Sequence, residues 1–342
     1  MSTILSVLAA LVLISVLVTV HELGHYLVGR KLGFTILEFA VGMGPVILKK
    51  EKNGIEYTLR ALPIGGMCRF YGEDSEETNE KCFSAHAAWK KILVIVAGPL
   101  MNLLFALVLS VITLLSYGNY MPSVVELTAP DLPAASAGVE PGDIIVAVDG
   151  KKVHEYDEAV PLIKAASGKD LLLTVERDGR SVDCRLENVY NEALGYNLIG
   201  VTIEAARVRL GFFESIVESV HYMGMVIGQT FDFFGTLFQG KVTSSDVAGP
   251  VGTIAYVSQA VRYGFEVVLR FGILISISLG IFNLLPIPAL DGGRLVFLLF
   301  EAVTGKKVDP EKEGMVHFVG LILLFGLMIF LTYNDIAGLV AR

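Results

Sequence analysis

The chain has 342 residues, of which 53% are hydrophobic, and its mean hydropathy is +0.62. A composition this apolar excludes an ordinary soluble domain and favours several membrane spans. The formal charge of −8 lies in one segment, because residues 118–263 contain 11 Lys and Arg against 19 Asp and Glu, while the rest of the chain contains 16 of each. This distribution predicts neither a nucleic-acid partner nor a polybasic membrane patch.

Four stretches are apolar enough to cross a lipid bilayer, namely residues 4–29, 92–116, 265–285 and 316–332. The first would rise about 39 Å at about 1.5 Å per residue, which is enough to span with some tilt. It lacks a basic leader and a small-residue cleavage site, so we expect a retained span rather than a signal peptide. Four crossings place both termini on one side. The basic pairs Arg30-Lys31 and Lys90-Lys91 lie on the other side, which the positive-inside rule makes cytoplasmic.

Residues 34–72 are predicted to form a β-hairpin, because Asn53-Gly54 separates two strand-like runs. Two locations remain open for it: a membrane-associated position lining a cavity or the interface, or a plain cytosolic position. Residues 212–239 are apolar, but acidic residues such as Glu214 and Asp232 are spread along them. This pattern favours an amphipathic helix on the outer surface over a fifth span.

The central acidic segment contains "AASAGVEPGDIIVAVDGKKV" at residues 134–153. Its pattern predicts a strand at 144–148 followed by a turn at Asp149-Gly150, and a second hairpin over 171–187 turns at Asp178-Gly179. A helix is expected between them, near residues 157–166. The first run resembles the PDZ-domain signature, and such domains bind extended peptides by adding a strand to a sheet edge. A clear Gly-Leu-Gly-Phe loop is not found, so recognition of a terminal carboxylate stays open.

The first span ends in "VTVHELGHYL" at residues 18–27. His21 and His25 are four residues apart and therefore project from one helical face. Two such imidazoles can bind Zn²⁺, and Glu22 can take a proton from water. A packed pair of histidines is the structural alternative. A polar trio in a membrane core is costly, however, which favours the metal.

A catalytic zinc ion normally has three protein ligands, so one more is required. Asp291 in "NLLPIPALDGGR" (283–294) is the favoured candidate, because it follows a span that Pro286 ends and lies at a depth similar to that of His21. A helix-capping role for Asp291 is the alternative. The other histidines are less suited as ligands. His154 and His221 are expected on the opposite side of the membrane, His86 lies in a polar loop, and His317 begins the fourth span. The cysteines form no CxxC pair and are expected to be inert thiols: Cys68, Cys82 and Cys184.

The HExxH sequence in a span, the PDZ signature and "NLLPIPALDGG" together resemble the site-2 protease family of intramembrane metalloproteases, most closely its bacterial RseP-like branch. The resemblance also includes "AGPLMN" (97–102) and "AGPVG" (248–252). It implies that Asp291 completes the zinc site, that Asn283 helps to hold the substrate or its oxyanion, and that the hairpin pairs with an unwound substrate. Asn102 is either a weaker candidate for a substrate contact or a polar residue that joins neighbouring helices. Only one PDZ signature is present, whereas the best-known relatives carry two.

We therefore expect a polytopic α-helical membrane protein with about four transmembrane helices, a membrane-associated β-hairpin and one extracytoplasmic PDZ domain of α+β type. The expected divisions are 1–117, 118–205, 206–263 and 264–342. The expected function is zinc-dependent intramembrane endopeptidase activity in a bacterial plasma membrane, with the active site near the cytoplasmic side. Single-span membrane proteins would be the substrates, and the resemblance implies anti-sigma factors or remnant signal peptides. Substrate ectodomains or peptides would bind the PDZ domain.

Two other functions are compatible with these features. In the first, the chain is a non-proteolytic membrane scaffold whose PDZ domain does the binding, although an intact Glu22 argues against it. In the second, the His/Asp site belongs to a transporter, but the sequence shows no repeated halves of the kind that transporters usually have.

Overall fold

A computed structural model describes residues 3–73, 79–128, 132–166, 170–187, 189–192, 195–241 and 247–340. The chain forms two compact units. The first, here called the helical unit, contains Met1–Ser110 and Tyr222–Arg342, and the second, here called the central unit, is Val111–His221.

The helices, in chain order, are α1 Thr3–Lys31, α2 Ala88–Tyr117, α3 Pro133–Ser136, α4 Ala159–Ala165, α5 Phe212–Phe238, α6 Pro250–Tyr263, α7 Phe265–Leu284, α8 Asp291–Thr304 and α9 Pro310–Val340. The strands, in chain order, are β1 Ile36–Lys52, β2 Ile55–Phe70, β3 Asn119–Leu127, β4 Ile144–Val148, β5 Lys151–Lys152, β6 Leu171–Arg177, β7 Arg180–Leu186, β8 Tyr190–Asn191, β9 Tyr196–Asn197 and β10 Val201–Val208.

Among the described residues, four helices are long and apolar enough to cross a membrane: Ile4–Lys31, Ala88–Tyr117, Phe265–Leu284 and Glu311–Gly338. The prediction of about four spans is confirmed. Two of these helices begin earlier than expected, however, because Lys90 and Lys91 lie in the first turn of α2 and α9 already begins at Pro310. Lys91 is buried there, and its charge is paired, because its Nζ lies 2.7 Å from Glu301 Oε2.

The predicted hairpin is confirmed, and both residues of its Asn53-Gly54 turn have positive φ (56° and 76°). Its path is more folded than expected. The first part of β1, residues 36–41, pairs with residues 66–70 on one side and with residues 56–59 on the other, while residues 48–52 pair with 55–59. Both strands therefore bend, and they do so at glycines with φ near 85°, namely Gly42, Gly44 and Gly65.

A buried carboxylate joins three segments of this β-element. Glu38 accepts hydrogen bonds at Oε1 from Thr58 Oγ1 and Arg60 Nη2, both at 2.7 Å, and Arg69 lies 3.5 Å from its Oε2. Burial raises the pKa of Glu38, but the hydrogen bonds from Arg60 and Thr58 outweigh that effect and hold it below its usual range. The outer end of the β-element is apolar and exposed, at Met43, Val46, Ile47, Leu48, Leu59, Leu62 and Ile64.

The central unit contains an antiparallel sheet with strand order β10-β3-β4-β6-β7, and β5 pairs with β4. The strand expected at 144–148 and the turns at Asp149-Gly150 and Asp178-Gly179 are confirmed. The helix expected near 157–166 is α4. Inward-facing aliphatic residues such as Ile145, Leu173 and Leu186 form the core of this unit.

The segment expected to form a helix at 212–239 is helix α5, Phe212–Phe238, which is not among the four candidate spans of the described residues. Two further helices, α6 and α8, were not predicted. The first turn of α6 explains the "AGPVG" sequence, because the N–H groups of Gly249 and Gly252 donate to Asp335 of α9 at 3.1 and 2.7 Å. A Cβ atom on either glycine would fall within 2.8 Å of an Asp335 carboxylate oxygen.

Candidate metal centre

The histidines of the first span share one helical face, as their spacing predicts. His21 and His25 are 8% and 7% exposed, and their Nε2 atoms lie 3.2 Å apart. His25 Nδ1 lies 2.8 Å from the Val94 carbonyl oxygen. A carbonyl oxygen can only accept, so Nδ1 carries the proton and Nε2 presents a lone pair. His25 is therefore held in the tautomer that a metal ion requires.

Asp291 meets these two histidines from the other end of the sequence. Its Oδ2 lies 3.0 Å from His21 Nε2 and 3.3 Å from His25 Nε2. The N-cap position of α8 is Leu290 and Asp291 is the first helical residue, so this carboxylate does not occupy the capping position. Burial raises the pKa of Asp291, but the two histidines beside it outweigh that effect and keep it well below its usual range. The carboxylate is therefore available as an anionic ligand.

The turn between α7 and α8 places Asp291 by close backbone packing. A Cβ atom on Gly292 would lie 2.0 Å from the Leu285 carbonyl oxygen, and one on Gly293 would lie 2.5 Å from that of Ile287. The Ala289 N–H donates to His317 Nδ1 at 2.9 Å, and Ala289 itself has a φ of 74°. The "ALDGG" sequence is therefore explained by a turn that only small residues can make.

The donor set fits a zinc ion. The ligand atoms of His21, His25 and Asp291 all lie within 4.8 Å of one another, and no other such group of three occurs among the residues that the structure describes. Two imidazole nitrogens and a carboxylate oxygen are common zinc ligands in catalytic sites, where a fourth position is left for water. Asp291 Oδ2 is buried without a well-aligned hydrogen bond in the described part of the chain, so a cation would satisfy it.

One face of α2 is fitted to this centre. The Val94 carbonyl, Gly98 and Asn102 are spaced by four residues and thus lie along one stripe of the helix. A Cβ atom on Gly98 would lie 2.3 Å from His25 Nε2, so only glycine leaves room for the imidazole. Asn102 is fully buried, and its Nδ2 lies 3.4 Å from His21 Nδ1. The "AGPLMN" sequence therefore lines the metal centre.

Glu22 lies against the β-element. The backbone N–H of Cys68 in β2 donates to the Glu22 carboxylate, and a Cβ atom on Gly66 would lie 2.9 Å from Glu22 Cγ. The segment 66–70, which pairs with β1 along one edge, is thus held beside the proposed general base. Burial raises the pKa of the Cys68 thiol, and the charges of Glu22 and Glu73 add to the effect, so this cysteine stays protonated. All three cysteines are free, as predicted.

The remaining polar candidates lie elsewhere. The Asn283 side-chain N–H donates to the Leu279 carbonyl one turn earlier at 2.9 Å, and its contact with the substrate stays a prediction. The other histidines do not join the metal group formed by the described residues. His86 stacks on Phe34, and in the central unit His154 stacks on His221, with ring centroids 3.5 Å apart. These positions agree with the expectation that the other histidines are not metal ligands.

Comparison with known proteins agrees with the site. The model of peptidase family M50 matches residues 9–327. The zinc metalloprotease RasP of Shouchella clausii is 31% identical, with 98% of this chain and 99% of that protein covered. RasP of Geobacillus kaustophilus is also 31% identical, with 98% of each chain covered. A protein of Clostridium acetobutylicum whose name assigns it provisionally to the zinc metalloproteases is 33% identical over 97% of each chain.

The apolar helices and the His-His-Asp group, with a glutamate beside the first histidine, define a zinc metalloprotease of the membrane. The chain belongs to peptidase family M50, the site-2 proteases. Its cofactor is zinc, and it is a zinc-dependent endopeptidase of the intramembrane type.

Proposed function

We propose that this protease hydrolyses peptide bonds within the transmembrane segments of single-span membrane proteins, with anti-sigma factors and remnant signal peptides as substrate classes. The observation that carries the proposal is the convergence of His21, His25 and Asp291 at the end of a membrane-spanning helix, with Glu22 beside them. These three residues would hold the zinc ion. Its chemistry, when it is bound, is to polarise a scissile carbonyl group and to acidify water.

Glu22 carries the proton transfers in this proposal. Its carboxylate takes a proton from the attacking water and gives a proton to the amine that leaves when the peptide bond breaks. The hydrogen bond from the Cys68 N–H holds the carboxylate in place between these events. Gly66 allows strand and glutamate to approach this closely.

The β-element would hold the substrate. A transmembrane helix must unwind before cleavage, because its own hydrogen bonds shield each carbonyl, and an extended chain can then add to a sheet edge. Residues 66–70 would offer such an edge beside Glu22 if an added strand replaced the side-chain contacts of two of their N–H groups, namely Cys68 with Glu22 and Phe70 with Glu73. The exposed apolar residues at the outer end of the β-element, including Ile47 and Leu62, favour a membrane-associated position over a cytosolic one.

The central unit would act as a single PDZ domain that restricts access or binds substrate ectodomains. Its strand β10 is the outer strand of the sheet and has β3 on one side. The Tyr156 hydroxyl donates to the Ile203 carbonyl of β10 at 3.3 Å, so an added peptide strand would displace this contact. We place the unit outside the cytoplasm and the metal centre near the cytoplasmic face of a bacterial plasma membrane, because basic residues such as Arg30 and Lys31 follow the HExxH sequence.

Cleavage of a reporter protein with one span, by purified full-length enzyme in detergent, tests the proposal. The comparison is between wild type, Glu22→Gln and the matched control Glu266→Gln, which alters a glutamate at the far end of α7 from Asp291. Wild type and the control should cut within the span, whereas Glu22→Gln should bind zinc and cut about 10³-fold more slowly. Chelation should abolish cleavage, and added zinc should restore it.

Two results would contradict the proposal. Cleavage by Glu22→Gln at the wild-type rate would remove Glu22 from the mechanism. A zinc-loaded wild type that binds ectodomain peptides but cuts none of a panel of single-span proteins would favour the scaffold function instead.

A further inference from the structure

Asn102 lies in the membrane span α2 with its side chain fully buried, directly against a proposed metal ligand. Its Nδ2 is 3.4 Å from His21 Nδ1. If His21 binds zinc through Nε2, its neutral ring carries the proton on Nδ1. The N–H groups of Asn102 Nδ2 and His21 Nδ1 would then face each other, and neither would have an acceptor.

The other amide atom resolves this conflict. Asn102 Oδ1 is buried and has no hydrogen-bond partner among the described residues. An amide occupies the same space after a half-turn about its last bond, and that turn exchanges Oδ1 and Nδ2. Oδ1 would then accept the Nδ1 proton of His21, so one rotation pairs both the buried oxygen and the ring nitrogen.

The position of Asn102 on α2 supports the same role. The Val94 carbonyl, two turns earlier on the same stripe, already accepts the Nδ1 proton of His25 at 2.8 Å. The backbone around Asn102 is fixed in turn, because Ser276 Oγ of α7 donates to the Asn102 carbonyl at 2.8 Å. One helix thus presents one acceptor to each of the two histidines.

We propose that Asn102 is a positioning residue that accepts the Nδ1 proton of His21 and so fixes the tautomer whose Nε2 faces the metal. This role rests on the proposed zinc ligation by His21, and it differs from a substrate contact, which would leave metal affinity unchanged. Partners of this kind typically change metal affinity or activity by 10–100-fold when they are removed.

Zinc affinity of the full-length enzyme tests the proposal, measured by competition with a chromogenic chelator and by the absorption spectrum of the Co²⁺-substituted protein. Asn102→Leu removes the acceptor at similar volume, and Asn102→Asp keeps one. The matched control is Ser110→Ala, which removes another buried polar group from the same stripe of α2. Thermal unfolding of the metal-free proteins shows whether each variant folds.

We expect Asn102→Leu to bind zinc about 10–100-fold more weakly and to change the Co²⁺ spectrum. Asn102→Asp should recover affinity to within a few-fold of wild type, and Ser110→Ala should match wild type. If Asn102→Leu fails to fold, the Co²⁺ spectrum and affinity of Asn102→Asp decide. A folded Asp variant that binds zinc 10-fold or more weakly than wild type would then overturn the proposal.

The competing outcomes are distinguishable. Wild-type zinc affinity in Asn102→Leu together with a raised KM would overturn the positioning role and make Asn102 a substrate contact. Absence of zinc from wild type itself would instead overturn the proposed metal site, and the inference about Asn102 with it.

Discussion

Two aspartates with buried carboxylate oxygens, one in each unit, show how differently the same side chain can be used. In the central unit Asp143 is 1% exposed, and Arg177 donates to both of its oxygens at 2.7 Å. The Glu140 N–H adds a third hydrogen bond at 2.9 Å. This carboxylate is fully satisfied by a cation and an amide that belong to the fold.

Asp291 in the helical unit faces two histidines instead. Its Oδ2 faces two imidazole nitrogens, one of which is shown by the Val94 contact to present a lone pair. A zinc ion bound by the two histidines would supply a positive charge to Asp291, whereas Arg177 supplies one to Asp143. A buried carboxylate oxygen beside an acceptor nitrogen therefore indicates a metal site, whereas one beside donor groups indicates a structural ion pair.

The largest effect should come from removing the ligand. Asp291→Asn keeps the shape of the side chain but loses the anionic oxygen, so we expect loss of bound zinc and of cleavage activity beyond detection. The thermal unfolding of the metal-free protein should stay close to that of metal-free wild type. Zinc content by mass spectrometry and a calorimetric scan measure both. Full zinc occupancy in this variant would remove Asp291 from the metal centre.

A smaller but still large effect should follow from crowding the ligands. In Gly98→Ala the new methyl group would meet His25 Nε2, and displacement of a reacting group by about 1 Å can cost about 10²-fold in rate. The matched control is Gly326→Ala in α9, where a Cβ atom would meet nothing within 4 Å. Cleavage rates at saturating zinc compare the two variants. Equal cleavage rates for Gly98→Ala and Gly326→Ala would mean that packing of α2 against His25 does not fix the position of the imidazole.

Asp143→Asn should destabilise the central unit and leave the zinc content unchanged, which is the reverse of the result expected for Asp291→Asn. The change removes the anion that accepts two hydrogen bonds from Arg177, which keeps its ion pair with Glu140 at 2.9 Å, so we expect a loss of stability in the central unit. Hydrogen–deuterium exchange of the full chain should show faster opening of β4 and β6, while zinc content stays at the wild-type level. Unchanged protection of these strands would show that the Asp143–Arg177 pair contributes little to the stability of the central unit.

The pH dependence of the central unit should report the same pair. Burial raises the pKa of Asp143, but the hydrogen bonds from Arg177 and the Glu140 N–H outweigh that effect and lower it. A lowered pKa adds stability that is present above the unfolded value of about 3.9 and is lost as the pH falls through the folded value. Protection factors of β4 should therefore be flat from about pH 7 to 5 and fall below about 4. Asp143→Asn should flatten this fall.

Local signals in the sequence were sufficient for the turns and for the histidine pair. Asn53-Gly54, Asp149-Gly150 and Asp178-Gly179 all adopt the positive φ that hairpin turns require, because that preference depends on two residues alone. His21 and His25 share a face because helical periodicity fixes their spacing. Asp291 was proposed from its place after a span that Pro286 ends and from its depth, and the family resemblance supported that choice, since nothing local relates it to residue 21.

Long-range packing determined the features that the sequence did not predict. The Val94 carbonyl is a backbone atom that carries no sequence signal, and Gly98 matters only because His25 packs against it. The bends of β1 and β2 follow from glycines that were visible, but their pairing partners depend on the folded path. Helix α8 was not predicted, because it begins inside the motif that contains Asp291. The sequence there shows no distinct helix boundary.

Zinc K-edge X-ray absorption of the purified wild-type enzyme tests the proposed ligand set, because it reports both the presence of the metal and its ligands. We expect one zinc ion per chain, with two imidazole nitrogens and oxygen ligands and no sulfur. A sulfur ligand, which Cys68 beside Glu22 could supply, a third imidazole, or protein without zinc would contradict the ligand set of His21, His25 and Asp291.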